Sequence, residues 1–282
     1  MKVQRLSAAD GFVVWDVDDA RRFSGVVRLA PKVLQDGAQL LARAVTYSCA
    51  SFGLEGCAGA SLALNAKPEQ RDETLAAFVE EIRPLVDEGR LRLQPGLGVS
   101  ADDLAPLGVE PDDPALQAAG ALAAARVAGP LDWRTAAVVG NDPVAAAATA
   151  QLTEAGSTLA EGRYDADCDV LFVSGKAGAL DHDTASTVKA STIVPLTPVP
   201  VTARALAVLS QADKVVVPDF LSTAAPLLAA FDPDGDDPAL RIRQATVALA
   251  DHGTAMWLTA AQNAEASLAT WTTEKPFGRP LA

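Results

Sequence analysis

The residues whose types and spacing could do chemistry begin with "VVGNDPVA", residues 138–145. A glycine turn between a buried strand and a helix lets backbone N–H groups and the positive helix end cradle a pyrophosphate. The G-x-G-x-x-G pattern is matched at Gly140, with Asp142 at the second glycine and Ala145 at the third. Alanine is accepted at the third place, but a carboxylate at the second would face the diphosphate if it pointed inward. Glu161 stands about 20 residues on, where an acid takes the ribose hydroxyls and disfavours a 2′-phosphate. A dinucleotide, NAD rather than NADP, would therefore meet Gly140, Asn141, Val144 and Glu161. Two readings stay open: weakened NAD binding, or a sheet of this type that binds no dinucleotide.

The remaining reactive residues are sparse. Cys49 and Cys57 have no histidine beside them to make thiolate, so buried structural cysteine is the plainer reading. Ser48 offers one hydroxyl, and Tyr47 a phenol that packing explains as well as proton donation. The only histidines, His182 and His252, lie far apart and make no metal set. "FDPDGDDPAL" (231–240) fails as a calcium loop: counted from Asp232, Asp237 takes the glycine position and Arg243 the glutamate position. No metal is expected.

The elements that must position these residues follow from the rest of the chain. Its 282 residues are 49% hydrophobic but only 5% aromatic, an Ala/Val/Leu mass suited to helices packed closely on sheets. A net charge of −13 repels phosphate backbones and anionic lipid, which argues against nucleic acid and membrane surfaces. Three cysteines and no apolar leader read as a reduced, cytoplasmic protein.

"GFVVWDV" (11–17) and "FSGVVRLA" (23–30) read as a hairpin. A helix over 32–53, the strand "GASLALN", a helix from Pro68 to Gly89 and the strand "LRLQ" follow. "LGVEPDDPAL" (107–116), rich in Pro and Asp, marks a domain boundary, giving an N-terminal domain over 1–112 and a second over 113–282. From 133 onward, strand and helix alternate, which implies α/β architecture with a parallel sheet, closed by C-terminal helices.

Four fragments in order carry a resemblance. "LARAVTYS" (41–48) is similar to L-A-R-G-M-T-Y-K, and "GLEGCAGAS" (53–61) to G-L-x-L-G-G-x-K-G. "PGLGVSADDL" (95–104) is similar to E-D-V-G-T-S-x-x-D-M, and "VVVPDFLSTAAPL" (215–227) to I-x-V-x-P-D-F-L-x-N-A-G-G-V. "DPALQAAGAL" echoes the helix that carries A-T-G. The chain thus resembles the glutamate/leucine/phenylalanine/valine dehydrogenases over nearly its whole length. The resemblance implies an N-terminal substrate and dimerisation domain, a Rossmann-type NAD(P) domain and an amino acid cleft between them. It also implies hydride transfer with release of ammonia, and a homodimer or a pairing with a paralogue.

Carried over residue by residue, the resemblance finds the chemistry missing. The lysine that holds the substrate carboxylate corresponds to Ser48, the catalytic lysine to Ala60 and the proton-shuttling aspartate to Gly96. The threonine of A-T-G corresponds to Ala119, and two cofactor- and substrate-side asparagines to Pro198 and Thr223. The family's substrate loop is deleted between Val27 and Lys32. The "SGKAG" turn borders the cofactor in the family, which puts Ser174, Gly175 and the cation Lys176 near the cleft, with Tyr47, Ser48, Cys57 and Thr223 as further wall residues. Oxidative deamination needs a cation for the carboxylate and a base for the developing imine, and neither Ser48 nor Ala60 supplies charge. The expectation is an amino-acid-dehydrogenase-like protein without ordinary deamination. It would be a repurposed enzyme for an amino-acid-derived imine, keto acid or related small molecule in specialised biosynthesis. The alternatives are a pseudoenzyme serving as a regulatory or scaffolding subunit, or a small-molecule binding protein.

Overall fold

The computed structural model describes residues 1–132, 134–274 and 278–282. The chain divides into two compact units, Met1–Asp112 with Glu265–Pro280, and Asp113–Ala264 with Leu281–Ala282.

The first unit is built on five strands: β1 (Lys2–Arg5), β2 (Gly11–Trp15), β3 (Arg22–Ala30), β4 (Cys57–Asn65) and β5 (Leu91–Pro95). Their order is β1-β2-β4-β3-β5. Every residue of β4 from Cys57 to Leu64 is buried, and an unbroken apolar run of this kind takes the centre of a sheet. It pairs antiparallel with β2 and parallel with β3. The hairpin expected of "GFVVWDV" and "FSGVVRLA" is therefore not formed, because β4 lies between the two strands. The physical reason is the helical crossover α1 (Gln35–Ser51), which returns the chain beside β3 in parallel, while Asp16 turns inward after β2 to meet Arg43.

Helix α1 lies directly on β4. A Cβ at Gly59 would come within 1.8 Å of the Ala42 carbonyl oxygen, so only glycine permits this approach. The Gly59 N–H donates to Thr46 Oγ1 at 2.9 Å. Helix α2 (Arg71–Asp87) buries Leu75, Phe78, Val79 and Ile82 in one core with Ala58, Ala60, Leu62 and Leu64 of β4. The short α3 (Ala101–Leu104) starts on a capping box between Ser100 and Asp103.

The second unit opens with α4 (Pro114–Ala128), capped by Asp113. It continues β6 (Thr135–Val139), α5 (Pro143–Glu154), β7 (Thr158–Leu159), β8 (Val170–Val173), α6 (His182–Ala185) and β9 (Thr192–Pro195). Then come α7 (Ala203–Gln211), β10 (Val215–Val216), α8 (Asp219–Ser222), α9 (Ala225–Phe231), α10 (Pro238–Val247) and α11 (Met256–Leu268), within which the division between the units falls. The sheet is wholly parallel, in the order β10-β9-β8-β6-β7. From β6 the chain first winds outward to β7, then crosses back to β8 and continues the other way. That reversal between β6 and β8 is a topological switch point, where open parallel sheets form a ligand crevice at their C-terminal strand ends. Among the described residues, no helix is long and apolar enough to cross a membrane.

Candidate functional site

The switch point of the second unit is flanked by Gly140, after β6, and Ser174, after β8. Gly140 has φ +132°, and a Cβ there would lie 2.7 Å from the Ser174 Cβ, so the turn needs glycine on both counts. Asp142 is the N-cap of α5: its Oδ1 accepts the Ala145 N–H at 2.9 Å, and its Oδ2 accepts the Ser174 hydroxyl. Pro143, at the first helical position, has no N–H to offer. The Ala146 N–H is taken by the Asp142 carbonyl at 3.1 Å. The helix end that would hold a phosphate thus already holds a carboxylate of its own chain.

The neighbouring strand ends are bonded in the same inward way. The Gly175 N–H donates to Thr197 Oγ1 at 3.0 Å, whose hydroxyl donates to the Gly175 carbonyl at 2.8 Å. The Gly178 N–H reaches the Val199 carbonyl at 2.9 Å. Val199 sits at φ +55°, a left-handed conformation that a β-branched residue adopts only under constraint. The constraint is Asp219, whose Oδ2 accepts the Val199 N–H at 2.8 Å. Burial pushes the Asp219 carboxyl up to about 6, against backbone N–H donors and the Trp257 side chain, which favour its ionised form.

The other expected contacts on this unit are dispersed. Asn141 and Lys176 are exposed, and Val144 is half-buried in the first turn of α5. Glu161 lies beyond β7, exposed, 3.5 Å from Arg163, which itself forks onto Asp165 at 3.0 and 2.9 Å. Thr223 donates to the Asp219 carbonyl at 2.8 Å, a helix-terminal bond. A dinucleotide at the end of α5 needs free N–H groups there, and the Asp142 carboxylate occupies one of them, that of Ala145, and places a like charge beside any diphosphate.

In the first unit, Tyr47 and Ser48 are neighbours on α1, and both are buried. The Ser48 hydroxyl donates to the Ala44 carbonyl at 3.2 Å, a bond spent within its own helix. Tyr47 donates to Glu265 Oε1 at 2.9 Å, and Arg279 donates to the same carboxylate at 2.7 and 3.1 Å. Arg279 holds the Glu265 carboxyl below the usual range, while burial and Glu265 push the Tyr47 phenol up. Cys57 begins β4 and is buried; burial raises its thiol, with Arg22 beside it pulling the other way. Ala60 is fully buried in β4, paired with Trp15 on one side and Gly25 on the other. At Gly96, after β5, a Cβ would lie 2.5 Å from Val26 Cγ1 and 2.8 Å from the Val27 carbonyl oxygen.

No protein-family model and no curated protein matches the sequence. Solved structures do match. A hetero-hexameric glutamate dehydrogenase from Thermus thermophilus, in a Leu-bound form, aligns over 94% of this chain and 86% of its own, at TM-score 0.73 and 19% identity. The L-tryptophan dehydrogenase from Nostoc punctiforme aligns over 95% of each chain, at TM-score 0.71 and 18% identity. The glutamate dehydrogenase from Peptoniphilus asaccharolyticus aligns over 92% of this chain and 86% of its own, at TM-score 0.69 and 13% identity. The fold is that of the amino acid dehydrogenases.

Ser48 and Ala60 are buried, and a side chain at position 96 would meet Val26 and the Val27 carbonyl oxygen. Sequence reasoning missed the buried pair of Asp16 and Arg43, joined through Arg43 Nε at 2.8 and 3.0 Å, with Arg43 Nη1 donating to the Gly278 carbonyl at 2.7 Å. An arginine inside the otherwise small and apolar "LARAV" was the available signal. Asp219 also lay within a quoted fragment, but its role depends on Val199, twenty residues away in the chain.

Proposed function

We propose that this chain is a protein of amino acid dehydrogenase fold that performs no oxidative deamination and holds no dinucleotide at α5. It acts as a small-molecule-binding pseudoenzyme, a regulatory or scaffolding subunit. One observation carries the proposal: Asp142 caps α5 and bonds Ser174 across the switch point, so the chain's own carboxylate stands where a diphosphate would bind. The packing at Ala60 and Gly96 supports the loss of the deamination chemistry. The Thermus protein is hetero-hexameric, which supports assembly of this fold from unlike chains.

The reading as a repurposed enzyme for an imine or keto acid has less support. Asp219, whose carboxyl burial shifts toward neutrality, is buried and bonded to backbone.

The test is titration of the purified protein with NADH and NADPH, followed by fluorescence and calorimetry. No saturable binding is expected up to about 1 mM cofactor. Binding of either at micromolar concentration would overturn the proposal and restore hydride transfer as the leading reading.

A further inference from the structure

The first unit contains a cavity of about 260 Å³ that none of the foregoing uses. It opens at one end of the sheet, where Lys2 of β1 pairs with Trp15 of β2, and Phe23 of β3 pairs with Leu91 of β5. β4 runs between Trp15 and Phe23, presenting Ala60 to the first and Ala58 to the second. Cross-strand partners share a face, and these two methyl groups are small enough for the rings to meet above them. The rings do meet, edge to face, with centroids 4.6 Å apart. Phe23 and Leu91 are almost wholly buried and fix the base, so the apolar surface open to a ligand is chiefly that of Trp15.

The rim is charged. Lys2 and Arg90 flank the floor, and Asp18 stands 3.4 Å from Lys2. Arg90 has a loose partner in Glu88 at 3.6 Å, both half exposed, and an exposed pair of that kind is readily exchanged for a ligand. The lining therefore carries two cations and one carboxylate in a chain whose net charge is −13. The Asp18 wall is also held in place: its N–H donates to Glu274 at 2.9 Å, and neighbouring Asp19 accepts from Thr272 at 2.9 Å.

We propose that this cavity is a binding site for a small carboxylic acid with an aromatic or branched apolar body. The body lies on Trp15, which Phe23 and Leu91 back from beneath, and the carboxylate displaces Glu88 from Arg90, with Lys2 as the second cation. The size agrees: drug-sized ligands use roughly 300–1,000 Å³, and this volume falls just below that range, in the region of a single small metabolite. None of the lining residues stands at a position that the resemblance assigns to substrate or cofactor. The inference is independent of the cofactor reading, since NADH titration and the experiment below report on different units.

The full-length chain is titrated with 3-phenylpropionate by calorimetry and by tryptophan emission, with 3-phenylpropan-1-ol as the uncharged control. Saturable binding of the acid is expected with Kd at or below about 1 mM, with the alcohol at least about tenfold weaker. Arg90→Gln should weaken the acid by about tenfold and leave the alcohol unchanged, with Lys2→Gln as the second charge variant. Trp15→Phe should abolish the emission change while the heat of binding persists. Absence of saturable heat up to about 10 mM acid, equal binding of acid and alcohol, or an unchanged affinity in both charge variants would each overturn the proposal.

Discussion

The carboxylate of Asp142 accepts the hydroxyl proton of Ser174, so the turn after β6 is bonded to the end of β8 across the point where the sheet reverses its winding. The same carboxylate caps α5 through the Ala145 N–H. One residue therefore satisfies the helix end and bridges the crevice.

Asp142→Gly removes the charge and supplies the second glycine of the phosphate-binding pattern. Glycine replaces a capping side chain at a cost of only a few tenths of a kcal/mol, whereas Asp142→Ala should cost about 1 kcal/mol in urea denaturation. The glycine variant is expected to bind NADH measurably better than the parent chain. If both variants match the parent in cofactor titration, Asp142 is not what keeps the dinucleotide out.

The Asp219 carboxyl makes stability fall as pH rises. Its folded value of about 6 lies above the ordinary 3.8, so the folded state binds more protons than the unfolded chain between those values. The stabilisation is fully present below about pH 4 and lost as pH passes 6, by roughly 3 kcal/mol for a shift of this size. Asp219→Asn should flatten that part of the profile in denaturant titrations between about pH 4 and 7. The Glu265 carboxyl, held low by Arg279, acts in the opposite sense: its contribution is present above the ordinary carboxylate range and lost as pH falls through its lowered value. Subtracting the Asp219→Asn profile from the parent isolates the first effect; a difference independent of pH would count against it.

Restoring the residues of the dehydrogenase pattern should destabilise rather than activate. Ala60→Lys buries an unpaired ammonium beneath the Trp15–Phe23 contact and should cost at least about 3 kcal/mol. Gly96→Ala already forces contact with Val26 and the Val27 carbonyl, and Gly96→Asp adds a charge to the same clash. Thermal melts should place both variants well below the parent, with no deamination of glutamate, leucine, phenylalanine or valine. Turnover by the double variant Ser48→Lys/Ala60→Lys would show that the scaffold still holds a usable cleft.

The pair of Asp16 and Arg43 is buried to 0% and 3% side-chain exposure. Removing one partner strands the other charge, so Asp16→Asn or Arg43→Met alone should cost about 3–5 kcal/mol, whereas Asp16→Leu/Arg43→Met should cost much less. A double-mutant cycle in urea measures the difference, and additive single losses would show that the pair is not coupled.

Much of the fold was legible from local pattern. The alternation after residue 133 specified a parallel sheet, because buried parallel strands are continuous apolar runs and the crossovers between them are amphipathic helices. That Ser48, Ala60 and Gly96 carry no charge was legible too, whatever their surroundings. The order of β2, β4 and β3 was not. Adjacent strands in sequence read as a hairpin, and only the burial of β4 on both faces placed it between them. The direction of Asp142 was likewise outside the reach of sequence. Asp is equally a helix cap and a charge aimed at a ligand, and the choice depended on Ser174, thirty-two residues on, arriving at the next strand end. Residue types and periods are local properties and survive in one dimension. Which carboxylate meets which hydroxyl is set by strand order, and strand order exists only once the sheet has formed.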